Sequence, residues 1–207
     1  MNQDKKIIVY LIGSLGLDGS SKIVLDLCVS FQDEYELHII TLKNNPELFS
    51  LSIVPAYVKV HQFNFEEDLD YSLTGYVRNL LLKKKWNRKY SSLIDLIIRI
   101  NPVIIHCHAH PRDLMIINSA RQLLGFGLLY TDHLTRIKQT EYSVFNRMAL
   151  GWVFRQMYQN FHVVAVSESV FNYQQQFKIV SKKKLHLLVS NKVDTNFFVP
   201  MEKKRSD

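Results

Sequence analysis

Short, nearly continuous apolar runs alternate with amphipathic helical patterns along almost the whole sequence. The predicted strands are Ile7–Ile12, Glu36–Thr41, Val58–Gln62, Val103–Cys107, Gly127–Thr131, His162–Val166 and Lys184–Val189. The predicted helices are Ser20–Phe31, Ser72–Lys83, Tyr90–Ile100, Asp113–Leu124, Tyr142–Gln159 and Glu168–Phe177. Unbroken apolar strands separated by helices are typical of parallel sheets that are buried on both faces. The sequence therefore predicts an α/β fold with a doubly wound, mostly parallel, Rossmann-like sheet.

Length and cysteine content limit the class of protein. The chain has 207 residues, 47% of them hydrophobic, which suits one domain with a sizeable core. Cys28 and Cys107 lie inside apolar runs and form no C-x-x-C pair, so we interpret both as reduced core residues of an intracellular protein. The apolar run Ile7–Ile12 is too short for the core of a signal peptide, and no run approaches the roughly 20 residues that span a bilayer. We expect a soluble or peripheral protein.

Glycine and serine interrupt the chain between the first predicted strand and the first predicted helix. Residues 11–27 read LIGSLGLDGSSKIVLDL, with glycines at positions 13, 16 and 19. A phosphate or carboxylate can bind the free amides of a helix that begins after such a loop, and Asp18, Ser20 or Ser21 can cap the same amides. The spacing matches neither G-x-G-x-x-G nor a P-loop. A ligand loop and a tight turn that requires glycine are both open at this point.

Five segments of the sequence lie in order along the chain, at predicted strand ends or helix starts. The segments are DGSSKIVL at 18–25, NPVIIHCHAH at 101–110, YTDH at 130–133, AVSE at 165–168 and NKVDTNFFVP at 191–200. Together they resemble motifs of the N-terminal, acceptor-side domain of GT-B glycosyltransferases of the family 4 type. The resemblance runs from the first strand to Pro200 and implies one GT-B N-terminal domain over residues 1–200, followed by a charged tail over residues 201–207.

The resemblance implies a hexosyltransferase-type function without a cofactor or metal. The enzymes that the chain resembles transfer sugar from a nucleotide-sugar donor to a glycan or lipid-linked acceptor, in polysaccharide, lipopolysaccharide or capsule biosynthesis. By the resemblance, His133 is the catalytic residue beside the transferred sugar. The residues expected to line the acceptor cleft are Gly16, Gly19, Ser20, Ser21, His108, His110 and Glu168. Because the family's donor-binding domain is absent from the sequence, we expect little activity without one, as in a fragment, a truncated frame or one subunit of a split enzyme.

The chain departs from the family pattern in the loop after the first strand and near its end. Asp18 replaces a loop glycine, and Ser21 replaces the usual glutamate. Ser190 and Lys192 flank Asn191 where the family prefers proline and glycine. Asp18 and Ser21 therefore change the contacts that the loop offers to an anion or an acceptor.

Three alternating histidines suggest a second kind of site. His106, His108 and His110 fall on one face of an extended segment, and Asp113 follows, which is a ligand pattern found in metal hydrolases. The sequence lacks the usual Asp-His continuation, so we predict no metal and expect His106 in the core and the other two histidines near the acceptor. We also expect Asp132 to orient loop amides, and Ser167 to cap a helix whose first turn holds Glu168.

The formal net charge of +7 is concentrated in particular segments. One segment interleaves leucines with basic and aromatic side chains, namely Arg78, Lys83, Lys84, Lys85, Trp86, Arg88 and Lys89. This mixture suits contact with an anionic membrane surface, and equally a solvated helix face. The rival function is accordingly a non-catalytic module that docks on a membrane or a partner. No nucleic-acid-binding signature occurs, and we expect a cytoplasmic protein, peripheral at the inner face of the membrane.

Overall fold

A computed structural model describes residues 5–16, 18–43, 53–65, 90–109, 113–133 and 143–187. The strands are β1 (Lys6–Ile12), β2 (Tyr35–Thr41), β3 (Lys59–Gln62), β4 (Ile104–Cys107), β5 (Gly127–Asp132), β6 (His162–Ala165) and β7 (Leu185–Leu187). The α-helices are α1 (Gly19–Phe31), α2 (Ser91–Ile100), α3 (Asp113–Leu124), α4 (Val144–Tyr158) and α5 (Glu168–Gln176), and a 3₁₀ turn covers Lys182–Lys184.

All seven described strands form one parallel sheet in the order β3-β2-β1-β4-β5-β6-β7. The chain first moves outward from β1 through β2 to β3, and then returns to add β4 on the other side of β1. The predicted doubly wound α/β fold is therefore confirmed. Between β1 and β4 the direction of winding reverses, and in sheets of this kind ligands bind beyond the carboxyl ends of the strands at that reversal.

Apolar side chains cover both faces of the sheet. On one face, Ile8, Tyr10 and Ile12 of β1 pack with Val24 and Cys28 of α1. On the other face, α2, α3, α4 and α5 pack over the inner strands, with side chains that include Val9, Ile105, Leu93, Ile117, Val153 and Val170. Successive residues of β1 thus enter opposite cores, which explains why its sequence is apolar without alternation.

Both cysteines are buried and free, as predicted. Cys28 lies on α1 and Cys107 at the end of β4, and each is fully inaccessible to solvent. Burial raises the pKa of the Cys28 thiol to about 12 and that of Cys107 well above its usual value. Neither side chain forms a reactive thiolate at neutral pH, so both act as small apolar residues.

Element ends follow local capping chemistry. Helix α2 ends at Asn101, which adopts a left-handed conformation with φ 51° and donates its N–H to the carbonyl of Ile97 at 2.9 Å. Pro102 follows and cannot continue the helix. The predicted helix Ser72–Lys83 and the basic segment Arg78–Lys89 lie outside the described residues. No described helix is long and apolar enough to cross a membrane.

Candidate functional site

The candidate site lies where β1, β4 and β5 end at the same edge of the sheet. Just after β4, the amide of His108 donates to the carbonyl of Leu11 in β1 at 2.7 Å. This hydrogen bond continues the β1–β4 pairing, in which Leu11 lies opposite Cys107. His108 therefore stands at the reversal of the winding, and His133 follows β5, the next strand.

Three imidazoles form a continuous cluster at this edge. The ring centroids of His106 and His108 are 4.2 Å apart, and those of His108 and His133 are 5.7 Å apart. The Nδ1 atom of His108 lies 3.4 Å from Nε2 of His133, and Nε2 of His106 lies 2.7 Å from the hydroxyl of Thr131. The ring of Tyr10 closes the cluster on the β1 side, 5.8 Å from that of His106.

Burial keeps the two inner imidazoles neutral. Desolvation, followed by repulsion from His133, lowers the pKa of His106 to about 4. Desolvation, with repulsion from His106 and His133, lowers the pKa of His108 to about 2. At neutral pH both rings are therefore uncharged, and each carries one N–H donor and one nitrogen acceptor. His106 keeps some solvent exposure, so it lies at the margin of the core and not fully inside it as expected; its ring contacts Thr131 and His108.

One atom of the cluster has no internal partner. The Nε2 atom of His108 is buried and makes no hydrogen bond within the described structure. A buried polar atom without a partner costs about 1–3 kcal/mol, so a group that supplies the missing hydrogen bond would be favoured at this position. A neutral imidazole nitrogen is a suitable partner for an uncharged hydroxyl group, either as donor or as acceptor.

The loop before α1 is held by its own aspartate. The Asp18 carboxylate accepts the amide hydrogens of Ser20 at 2.8 Å and Ser21 at 2.9 Å, so Asp18 is the N-cap of α1, one of the predicted caps. The Ser21 hydroxyl donates to Asp18 at 2.9 Å and accepts the amide hydrogen of Gly16 at 3.0 Å. The first amides of the helix therefore point at a resident carboxylate.

Asp18 also contributes a fixed negative charge to this corner. Partial burial would raise its pKa, but hydrogen bonds from Ser20 and Ser21 outweigh burial, and the pKa is lower than usual. The backbone conformation does not require glycine at Gly13 or Gly19. A Cβ atom added at Gly13 or Gly19 would meet no atom within 4 Å, and neither residue has the left-handed φ that favours glycine.

Asp132 has a structural partner. This carboxylate is buried at the end of β5 and accepts a hydrogen bond from the side-chain amide of Gln174, which is buried on α5. Asp132 thereby connects the end of β5, just before His133, to α5. At the start of α5, the hydroxyl of Ser167 accepts the amide hydrogen of Val170 at 3.3 Å, and Glu168 occupies the first turn. The predicted cap and first turn are confirmed.

The structure brings some predicted site residues together and leaves others apart. His108 and His133 are in direct contact, and Gly16, Gly19, Ser20 and Ser21 lie after β1, two strands away from β5 at the same edge. Glu168 begins the helix after β6 and is exposed. His110 and the basic segment lie outside the described residues. Sequence reasoning missed Thr131 and Tyr10; the alternation of Thr131 with His133 was the available signal.

Within the described ranges, no group of three His, Cys, Asp or Glu side chains has the geometry to hold a metal ion. The imidazoles instead contact one another and a hydroxyl. The arrangement can exchange hydrogen bonds with a neutral polar ligand.

The sequence matches no protein-family model and no curated protein sequence. Similar solved structures include Arabidopsis thaliana UGT89C1 complexed with UDP-L-rhamnose, at 12% identity and TM-score 0.47, covering 90% of this chain and 48% of that one. Another is Phytolacca americana UGT2 complexed with UDP-2fluoro-glucose and pterostilbene, at 8% identity and TM-score 0.49, covering 90% and 54%. A PPC decarboxylase mutant complexed with pantothenoylaminoethenethiol is similar at 9% identity and TM-score 0.36, covering 90% and 82%.

The first two of these proteins are GT-B UDP-glycosyltransferases, and this chain spans about half the length of each. The assignment to family 4 stays a prediction. The α/β Rossmann-like fold of the chain is established by its own strand order and register.

Proposed function

We propose that this chain is the acceptor-side domain of a GT-B glycosyltransferase. The reaction would transfer a hexosyl group from a nucleotide sugar to a hydroxyl of a glycan or lipid-linked acceptor. The observation that carries the proposal is the cluster of neutral imidazoles at the reversal of the winding, with the buried Nε2 atom of His108 lacking an internal partner. A sugar acceptor offers uncharged hydroxyl groups that can both donate to and accept from such nitrogens.

The proposed chemistry assigns positioning and electrostatic roles to the cluster. In glycosyl transfer the bond from the anomeric carbon to the diphosphate breaks, the bond to the acceptor oxygen forms, and the proton of the acceptor hydroxyl passes to the departing diphosphate. His133 is the proposed catalytic residue because it ends the cluster just after β5, at the carboxyl edge of the sheet where a ligand is expected. His108 positions the ring of His133 through the 3.4 Å contact between their ring nitrogens. His106, whose Nε2 atom contacts the Thr131 hydroxyl, packs against the ring of His108.

In this proposal a second domain, in the same polypeptide or in a separate subunit, binds most of the donor diphosphate. The amides at the start of α1 already face the Asp18 carboxylate, which would repel a diphosphate at close range. In this proposal Gly16, Gly19, Ser20 and Ser21 form a wall of the acceptor cleft, and they do not form a phosphate cradle. Glu168 and His110 remain proposed acceptor contacts.

A ligand-binding experiment tests the acceptor role without a donor domain. Neutral oligosaccharides and lipid-linked sugar analogues are titrated against the full chain, with saturation-transfer NMR as the readout. We expect at least one acceptor whose affinity falls at least tenfold in His133→Ala and in His108→Leu. The matched control is His162→Ala, which removes an exposed histidine on β6, away from the cluster.

The transfer step is tested by reconstitution. The chain is mixed with a cognate donor-binding domain and a panel of nucleotide sugars, and transfer to the bound acceptor is measured. We expect transfer only with both components, and at least a hundredfold loss of kcat in His133→Ala. Absence of any acceptor binding, or equal binding by the wild type and both cluster variants, would contradict the proposal.

A further inference from the structure

Helix α4 exposes three large apolar side chains in a row. Phe145 is 78% exposed, Met148 is 71% exposed and Trp152 is 52% exposed. Their spacing of three and four residues places them on one side of the helix, and we call them the α4 stripe. Isolated exposed apolar residues are common on proteins, but a Phe, a Met and a Trp aligned on one helix face form a continuous apolar surface.

The opposite side of α4 is firmly packed. Leu150, Val153, Phe154 and Met157 are at most 4% exposed and belong to the core that α4 shares with the sheet. Between the two sides, Gly151 lies against the turn after α5, where a Cβ atom would be 3.7 Å from the carbonyl of Phe177. The α4 stripe is therefore presented by a helix whose orientation is fixed by its buried face.

Basic residues lie on α4 and near its carboxyl end, where Arg155 is exposed. Helix α4 contains Arg147 and Arg155 and no acidic residue. At its carboxyl end, the Lys184 ammonium donates to the carbonyl of Gln159 at 2.8 Å, which brings the lysine turn 182–184 next to the helix. Across residues 143–187 the sequence has six Lys or Arg and one acidic residue, Glu168, at the start of α5. An anionic partner is favoured at this surface.

We propose that the α4 stripe docks this protein on an anionic membrane surface. Aromatic and apolar side chains on one helix face enter the boundary between headgroups and acyl chains, while neighbouring Lys and Arg side chains contact the anionic headgroups. A second copy of this chain is the less suitable occupant, because two such surfaces would bring like charges together. The surface differs from the basic segment Arg78–Lys89, and the proposal is independent of the glycosyltransferase assignment.

Vesicle co-sedimentation of the full chain tests this surface. We expect binding to vesicles of phosphatidylserine and phosphatidylcholine, and at least tenfold weaker binding to pure phosphatidylcholine. The triple variant Phe145→Ser, Met148→Ser, Trp152→Ser should bind the anionic vesicles at least tenfold more weakly. Because all three positions are exposed, the variant should fold, and its circular dichroism spectrum should match the wild type.

Matched controls separate the stripe from general hydrophobicity and general charge. The double variant Val29→Ser, Tyr57→Ser removes exposed apolar side chains elsewhere, at 53% and 44% exposure, and should bind like the wild type. Reversal of Arg155 and Lys183 to glutamate should weaken anionic binding at least tenfold. Wild-type binding by the triple variant, combined with loss of binding on reversal of Lys83–Lys85, would overturn the proposal in favour of the basic segment. A dimer that the triple variant abolishes, without vesicle binding by the wild type, would overturn it in favour of self-association.

Discussion

The Nδ1 atom of His108 and the Nε2 atom of His133 lie 3.4 Å apart and connect the ends of two neighbouring strands, β4 and β5. At this distance the two ring nitrogens face each other, so when one of them carries a proton the other must be unprotonated to accept it. Burial, reinforced by repulsion from His106 and His133, lowers the pKa of His108 and holds the ring in a neutral form. The protonation state of the cluster therefore changes on unfolding, and the pH dependence of the unfolding free energy measures that change.

Acidification should lower the unfolding free energy of the protein already at pH values well above those at which carboxylates titrate. The pKa values of His106 and His108 are about 4 and about 2 in the folded state, below the usual 6.5. The unfolded chain therefore binds more protons below pH 6.5, and stability falls as the pH falls from there toward the folded pKa values. Each histidine should remove about 2 kcal/mol of unfolding free energy between pH 7 and pH 5. Urea denaturation at both pH values measures the drop.

Replacing His108 by leucine should reduce this pH dependence. His108→Leu removes one buried titrating ring, so the drop between pH 7 and pH 5 should shrink by about 2 kcal/mol. At pH 7 the variant should be at least as stable as the wild type, because the leucine leaves no unpartnered polar atom in place of Nε2. The exposed His162→Leu serves as the control and should retain the full drop. An unchanged drop in His108→Leu would show that His108 is not held neutral.

Asp18 should stabilise the start of α1. Asp18→Ala removes the acceptor of the Ser20 and Ser21 amides and should cost about 1 kcal/mol of unfolding free energy. Because the folded pKa of Asp18 is lowered, this contribution is present at neutral pH and is lost as the pH falls through the folded pKa. Asp33→Ala, in the exposed turn after the same helix, is the control. Equal stability of the two variants at pH 7 would contradict a capping role.

The same carboxylate should suppress anion binding at the loop. Asp18→Gly frees the helix amides and removes the negative charge, so affinity for inorganic phosphate and for uridine diphosphate should rise at least tenfold over the wild type. Isothermal titration calorimetry at low ionic strength measures both ligands. Lys22→Ala, which changes charge on the exposed side of α1 without altering the cap, should not raise the affinity. Tight phosphate binding by the wild type would contradict the prediction.

Gln174 should be essential for the junction between β5 and α5. Gln174→Leu removes the side-chain amide that donates to the buried carboxylate of Asp132, and should cost about 1–3 kcal/mol. Gln175→Leu, at the adjacent exposed position, should change stability by less than about 0.5 kcal/mol. Chemical denaturation of the two variants gives a direct comparison. Equal stability of the two variants would contradict a structural role for Gln174.

The sequence predicted the strands and helices within the described residues because their apolar periodicity is unambiguous. Each of the seven predicted strands overlaps an observed one, and β1 differs from its predicted range by one residue. The described differences are one or two residues at element ends: β7 begins at Leu185, one residue after its predicted start, because the lysine turn 182–184 occupies Lys184.

The site was less predictable than the fold because its chemistry depends on partners distant in sequence. The sequence left Asp18, Ser20 and Ser21 open as caps, and the structure distinguishes them by placing the Asp18 carboxylate on the helix amides. The link from Asp132 to Gln174 spans 42 positions and follows from no local pattern. Likewise, α4 is apolar on several sides, and only its packing distinguishes the buried Val153 from the exposed Trp152.

The strand order also determines how the protein avoids fibrous aggregation. Of the described strands, the two at the margins of the sheet are β3, which has four residues, and β7. Lys59 opens β3, and the lysine turn 182–184 directly precedes β7. A foreign strand that added to β3 would gain few backbone hydrogen bonds, and at either margin it would have to accommodate an ammonium group. Charged, abbreviated margins of this kind discourage chains from joining their sheets end to end.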